Sequence, residues 1–452
     1  MLSGVAAGHP ATVSAGIEIL EDGGTAADAA VAAALASCVA ETVMTGLLGG
    51  GHAIYWDGRE AWALDCFVDV PSGRGAPPVE LRVPFGEELV HYAVGPGTCA
   101  VPGLPGGLDA LWRRYGRLPW PRLVEPALRL ARVGVPMPPA HVSCLAMLAP
   151  VFTMSEQGRR IYAPQGRPLA TGEPLHQPGL AAALELVSTE GAGSVYRGTL
   201  AEALLDLPGI PIERPDLERY EPRWIAPVEL PYAGTRFLSR QGLSGVPESL
   251  SRLRSLRGLN ERERVHELLD ALSGPTADGH TTNLVTAARD GSVCVLTSSL
   301  GLGTGDFLPG FDLHLNSMLG EVDLVHVPLR PGERMESMMA PSIALDAGGP
   351  ALAIGAAGGT RLRTALVGVA AGILDERLDP VEAVERPRFH QAGDVVNAEP
   401  GVDEAALEEL ERAGAEVRRW PAQHHYFGGV SLLSRAGGAG DPRRSGHAAV
   451  LR

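Results

Sequence analysis

The chain has 452 residues, with 38 lysines and arginines against 53 aspartates and glutamates and a formal charge of −15. That balance argues against a nucleic-acid surface, because phosphate backbones are met by clustered cations; short basic stretches such as RRYGR at 113–117 do not reverse it. With 45% hydrophobic and 20% charged residues, extended disorder is excluded, and the length predicts a large core spread over two layers or two lobes.

In chain order, MLSGVAAGHPATVSAG has no basic segment leading into an apolar one, so no secretory leader is expected. Apolar positions at helical spacing over 11–21 predict a helix that stops at Gly23-Gly24, and Thr25 is placed to cap a second one. This second helix, AADAAVAAALASCVA, is the longest apolar run. Asp28 and the alanine bias suit a packed helix rather than a bilayer span, so no membrane association is expected. GLLGGGHAIYWDGREAWALD predicts a hairpin turning at Asp57-Gly58. Residues 105–134 read as largely helical, and 216–239 as a helix followed by strands. The composition then turns polar over 238–280. There LSRQGLSGVPESLSRLRSLRG reads as irregular, NERERVHELLDAL as an amphipathic helix capped by Asn260, and SGPTADGH as an exposed loop. A second hairpin follows, TNLVTAA and SVCVLTSS around Asp290-Gly291. LAIGAAGGTRLRTALVGVAAGIL reads as a strand, a glycine turn and a helix; VDEAALEELERAGAEVRRW as a helix ended by Gly414 and a closing strand. The fold class is mixed α and β with antiparallel hairpins.

Five cysteines, Cys38, Cys66, Cys99, Cys144 and Cys294, are odd in number, scattered and never spaced as CxxC, which predicts buried reduced thiols and a cytoplasmic setting. No cofactor is expected. GLGTGD at 301–306 is followed by DFLPGFD rather than a helix, and GAAGGTRL lacks the acidic residue a ribose contact requires. No metal is expected either: His141 with Cys144 and the pair His424-His425 lack the ligand spacing of a known site, and no HExxH occurs.

The second hairpin opens on His280-Thr281-Thr282, where the polar loop ends. A threonine hydroxyl is a weak nucleophile that needs a base. If the bond before Thr281 were cut, the freed α-amine, with an ordinary pKa of roughly 8, could be that base, so one residue would supply both groups. Threonine is also an ordinary strand former, and a Thr-Thr pair entering a hairpin requires no function.

Beyond single motifs, GHPATVSAGIEILEDGGTAADAAVAAALA, GLLGGGHAIYW, AVPGLPGGLDALWRRYGRLPWPRLVEPALRLARVG, DLERYEPRWIAPVELPYAGTRFLS, the HTTNL hairpin, GAAGGTR, VEAVERPRFH and DPRR occur in the order found in the γ-glutamyltranspeptidase family, which the chain resembles from about residue 5 to about 446. The resemblance implies a four-layer αββα N-terminal nucleophile hydrolase sandwich, made as one precursor. Self-cleavage between His280 and Thr281 would give a large-subunit region, 1–280, and a small-subunit region, 281–452, paired as a heterodimer. It implies Thr281 as the nucleophile that takes a γ-glutamyl group from amides such as glutathione and passes it to water or an acceptor amine. It also implies Ser299 as a hydroxyl hydrogen-bonded to that nucleophile, and Gly358 and Gly359 as the oxyanion hole. A glycine turn feeding a helix presents backbone N–H groups to developing negative charge, which fits this role.

Substrate recognition departs from the family pattern. Where relatives carry an arginine in a segment like DFRE to hold the substrate α-carboxylate, this chain has LDCFVDVP at 64–71. The asparagine two residues after the Ser299 position is Gly301. LNSMLGE stands for LNNxMDD, making Glu321 the candidate for the substrate ammonium, and ESMMAP keeps Ser337 but has Met338 at the second serine. The connection before Thr281 is also shorter than in relatives. Either Arg361 or a more distant arginine replaces the missing one, or the acyl group differs, as in a cephalosporin-acylase-like amidase taking a carboxylated acyl chain with no α-amino group. A non-catalytic homologue that binds a small amino acid or peptide, or assembles with a partner, is the alternative from another class.

Overall fold

The computed structural model describes residues 2–85, 88–273, 281–321, 324 and 328–451; His280 and the loop 274–280 lie outside them. Two hairpins of the same design, Gly50–Trp56 with Ala61–Cys66 and Thr282–Ala287 with Val293–Ser299, lie side by side. Val293–Ser299 pairs antiparallel with Gly50–Trp56, so that Ser299 stands opposite Gly50. Gly4–Ala7 and His447–Val450 extend this sheet beyond Thr282–Ala287, and Arg223–Ile225 closes the other edge, giving seven strands. A second sheet has six, in the order Gly438–Gly440, Gly429–Ser434, Gly349–Ala357, Ser342–Asp346, Thr235–Ser239, Val228–Tyr232, all antiparallel.

The strands read with a period of two, and each face has its own core. Val285, Val293 and Val295 of the first sheet meet Ile343, Leu345, Ala353 and Leu433 of the second in a dry layer between the sheets. The opposite face of the first sheet, with Leu284, Cys294 and Leu296, is covered by the helices Pro10–Glu21, Ala26–Ala40, Leu104–Tyr115 and Trp120–Val133. Arg361–Ala371 covers the second sheet, together with Val246–Arg252 and Glu261–Ala271. The result is the αββα sandwich. Every residue of Ala26–Ala40 is buried, which is why it is built of alanine: larger side chains would overpack this layer at about 1–3 kcal/mol each. Its start is fixed by a capping box, Thr25 accepting from the Asp28 amide and Asp28 accepting from that of Thr25.

Both expected hairpins, the N-terminal helix pair, the largely helical stretch over 105–134 and the Asn260 cap form as the sequence indicates. One stretch differs: Val246–Arg252, inside a segment that reads as irregular, is helical. Val246 and Leu250 are buried on the second sheet's outer core, and that tertiary contact decides a seven-residue helix too short to be stable alone. Strands from before and after Thr281 interleave in the first sheet and pair side by side in the second, so the regions 1–280 and 281–452 share their cores. No described helix is long and apolar enough to cross a membrane.

Candidate active site

Thr281 precedes the central strand Thr282–Ala287. Alternation along this strand sends Thr282, Leu284 and Thr286 towards the helices, and Asn283, Val285 and Ala287 towards the second sheet. By the same period Thr281 belongs to the inner side, where the second sheet delivers its glycine turn. Gly358 donates its backbone N–H to Thr281 Oγ1 at 3.1 Å. Gly358 has φ +131°, and a Cβ there would lie 2.6 Å from Gly428 Cα, so only glycine brings the amide this close. Gly359 follows at φ +62° and leads into the helix Arg361–Ala371, placing a helix N-terminus beside the hydroxyl. Ser299, at the end of the neighbouring strand, lines the same cavity as Thr281, and its Oγ accepts from the Gly301 amide at 2.9 Å.

Two cavities meet at Thr281. The first is lined by Thr281, Thr282, Asn283, Glu41, His141 and Arg444, among others. Glu41 ends the alanine helix and is 1% exposed. Its carboxylate accepts the hydroxyl of Thr12 at 2.6 Å and that of Thr282, which ties both N-terminal helices to the residue after Thr281. Burial is the leading influence on its carboxyl and pushes it up to about 7, although both hydroxyls and Arg444 favour the charged form. Burial likewise drives the His141 imidazole down to about 3, keeping it neutral. Arg444 is buried and donates to Met44 Sδ at 3.2 Å and the His425 carbonyl at 3.4 Å. Behind it, Arg443 forms a fork with Glu399 at 2.7 and 2.5 Å, and Arg388 lies 2.6 Å from Asp441. All four side chains are nearly inaccessible.

The second cavity holds Thr281 and Ser299 with Gly301, Glu321 and Ser337, and its remaining walls are Phe67, Met318, Leu324, Met338 and Met339. Glu321 Oε1 accepts from the Leu302 amide at 3.2 Å. Gly301 has φ +68°, and a Cβ there would come within 2.7 Å of both Glu321 Oε1 and Ser317 Oγ. The longer glutamate therefore occupies the space that a side chain at 301 would need. Phe67 stands two residues after Asp65, where the arginine of a DFRE-like segment would be. Arg361 does not replace it. Its guanidinium lies over the Tyr426 ring at 4.7 Å, with Nε donating to the Tyr426 carbonyl at 3.3 Å, and it is outside the cavity lining. The structure therefore gathers Thr281, Ser299, Gly358, Gly301, Glu321 and Ser337 around one hydroxyl; His280 lies outside the described residues. Sequence reading passed over Glu41 and Phe67. Their only signals were a charge directly after an alanine-rich helix and an aromatic at an arginine's place.

Two facing sheets between helix layers define the N-terminal nucleophile hydrolase fold, and the buried threonine with a glycine-turn amide on its oxygen lies at an inner strand end of it. The sequence matches the family model Gamma-glutamyltranspeptidase over residues 12–275 and 270–451, and the chain belongs to that family. It is 27% identical to "Acylase ACY 1 proenzyme" of Pseudomonas sp. (strain SE83), over 95% of this chain and 89% of that one. It is 25% identical to "Glutathione hydrolase proenzyme" of Bacillus subtilis (strain 168), over 98% and 90%. The fold matches the crystal structure of cephalosporin acylase from Bacillus halodurans with a TM-score of 0.84 at 24% identity, covering 100% of this chain and 96% of the other. By family the protein is a hydrolase or transferase, and these two relatives are named as proenzymes.

Proposed function

We propose that the chain cuts itself between His280 and Thr281. Thr281 then acts as an N-terminal nucleophile that takes an acyl group from an amide and hands it to water or an acceptor amine. The hydrogen bond from Gly358 N–H to Thr281 Oγ1 carries this reading. An N–H beside the attacking oxygen is suited to receive the oxygen of the attacked carbonyl as it gathers charge, while the freed α-amine supplies the base. Cleavage would leave a large subunit, 1–280, and a small one, 281–452, held as a heterodimer by the interleaved strands.

The family and the Bacillus subtilis relative supply γ-glutamyl amides such as glutathione as the donor class. An acylase with a different acyl group is the second reading, and Phe67 and Met338 in the cavity wall favour it. A cytoplasmic setting is proposed from the five cysteines, all buried and free.

The test is the intact mass of the purified protein beside Thr281→Ala. Fragments of about 29 and 18 kDa, dividing the 47.3 kDa chain by residue number, are expected from the native protein and none from the variant. A single uncut chain in both would remove Thr281 as the nucleophile and leave a binding protein.

A further inference from the structure

Apart from Thr281 itself, the residues around the second cavity divide sharply. Phe67, Met318, Met338 and Met339 are each exposed by 4% or less and pack into one cluster with Val68, Val70, Ala100, Leu324 and Met335. The polar lining is two serine hydroxyls, Ser299 and Ser337, and one carboxylate, Glu321; no described lining residue is a lysine, arginine or histidine. Arg240 is buried behind the wall. It donates Nη1 to the Ser337 carbonyl at 2.9 Å and is not part of the lining.

Resting on the reading of Thr281 as an acylated nucleophile, and on the second of the two donor readings above, we propose that this cavity is the acyl subsite and that it takes an apolar acyl group carrying no carboxylate. A carboxylated chain, whether γ-glutamyl or glutaryl, would bring a second anion against Glu321 and against thioether and phenyl walls that offer no hydrogen bond, so its desolvation would go uncompensated. An alkyl chain loses nothing there, and an amine is received by Glu321. The reaction balances as simple acyl transfer. The Thr281 Oγ–acyl bond forms as the amide C–N bond breaks, the hydroxyl proton leaves on the departing amine, and water then splits the ester to the free acid and restores the hydroxyl.

The decisive comparison uses the self-processed protein and four p-nitroanilides of equal chain length: pentanoyl, 4-aminopentanoyl, glutaryl and γ-glutamyl. The two without a carboxylate are expected to show kcat/KM at least tenfold above the two with one; equal or better turnover of glutaryl or γ-glutamyl overturns the proposal. Phe67→Arg is expected to shift the γ-glutamyl to 4-aminopentanoyl ratio upward at least tenfold while Phe67→Leu leaves it within threefold. An unchanged ratio in Phe67→Arg removes Phe67 from the subsite. A γ-glutamyl preference that disappears in Arg240→Gln would assign carboxylate recognition to that arginine and overturn the proposal by another route. Failure of the nucleophile reading is separable from this. On the uncut Thr281→Ala chain, calorimetric titration with pentanamide and with glutaramate is expected to detect only the first, and binding of glutaramate alone or of neither counts against the subsite whatever Thr281 does.

Discussion

On one side of Thr281 lie Glu41, His141, Asn283 and Arg444; on the other lie Phe67, Met318, Met338 and Met339, with Glu321 the one charge among the described lining residues. Both sides are buried and both touch the same hydroxyl-bearing residue, yet they are made of opposite materials. The polar side is assembled from the ends of the alanine helix, the central strand and the Asp441–Arg444 turn, and its carboxylate and imidazole are driven by burial towards their uncharged forms. The apolar side is assembled from connections, 67 after one hairpin and 318–339 between the sheets. The difference separates two tasks. Under the proposed function, groups that position the nucleophile sit on rigid elements in a hydrogen-bonded network, while groups that meet the substrate sit on loops, where their replacement leaves that network untouched.

If the polar side depends on its supporting network, removing one partner of a fully buried ion group should be the most damaging change. Glu399 and Arg443 are both inaccessible, and Arg443 also donates to the carbonyls of Val384 and Arg386. Glu399→Ala leaves Arg443 without its fork and is expected to lower unfolding free energy by about 3–5 kcal/mol, read from denaturant melts of the uncut Thr281→Ala background. A loss below about 1 kcal/mol would show that solvent reaches this turn and that the polar side is not held as described.

Next in size is Gly358→Ala, which probes the meeting point of the two cavities. The added methyl must displace Gly428 and adopt a φ that L-residues avoid, moving the amide off Thr281 Oγ1. Loss of one such donor is expected to lower kcat about 10²–10³-fold with little change in KM. A variant with unaltered kcat would place the oxyanion donor elsewhere.

Much of this site was legible in the sequence, and the reason is local. The Asp290-Gly291 and Gly358-Gly359 turns announce themselves through short-range rules, because turn residues and helix caps are fixed by neighbours two to four positions away, whereas Thr281 reads as an ordinary strand residue until the resemblance along the whole chain singles it out. Glu41 and Phe67 are not of that kind. Glu41 meets Thr282 across 241 residues of chain and Thr12 across 29, and no periodicity relates them. Phe67 looks like any core aromatic until the cavity beside Thr281 shows what it borders. The helix Val246–Arg252 escaped notice for the same reason, since its polar composition is outweighed by two buried contacts. Packing between distant segments decides these cases, and spacing rules do not see it.

The smallest effect expected is also the one that most directly distinguishes the two sides, since the polar one should titrate on folding. The Glu41 carboxyl moves from an ordinary 4.5 to about 7 in the folded chain. A raised pKa means that between the two values the folded state holds a proton the unfolded chain has released. The favourable contribution is therefore fully present below about pH 4.5, falls as pH rises towards 7 and stays low above it. Arg444 opposes the shift and His141 stays neutral throughout, so neither reverses the sign. Glu41→Gln keeps the shape of the protonated acid, and a threonine hydroxyl can turn to accept from the new amide as readily as donate to it. The variant should therefore gain on the native chain as pH climbs from 5 to 8, by on the order of 2 kcal/mol, measured as the difference between their unfolding free energies so that groups common to both cancel. A difference flat across that range would mean that Glu41 ionises alike in both states, and the polar cavity would then have to be wetter than its walls indicate.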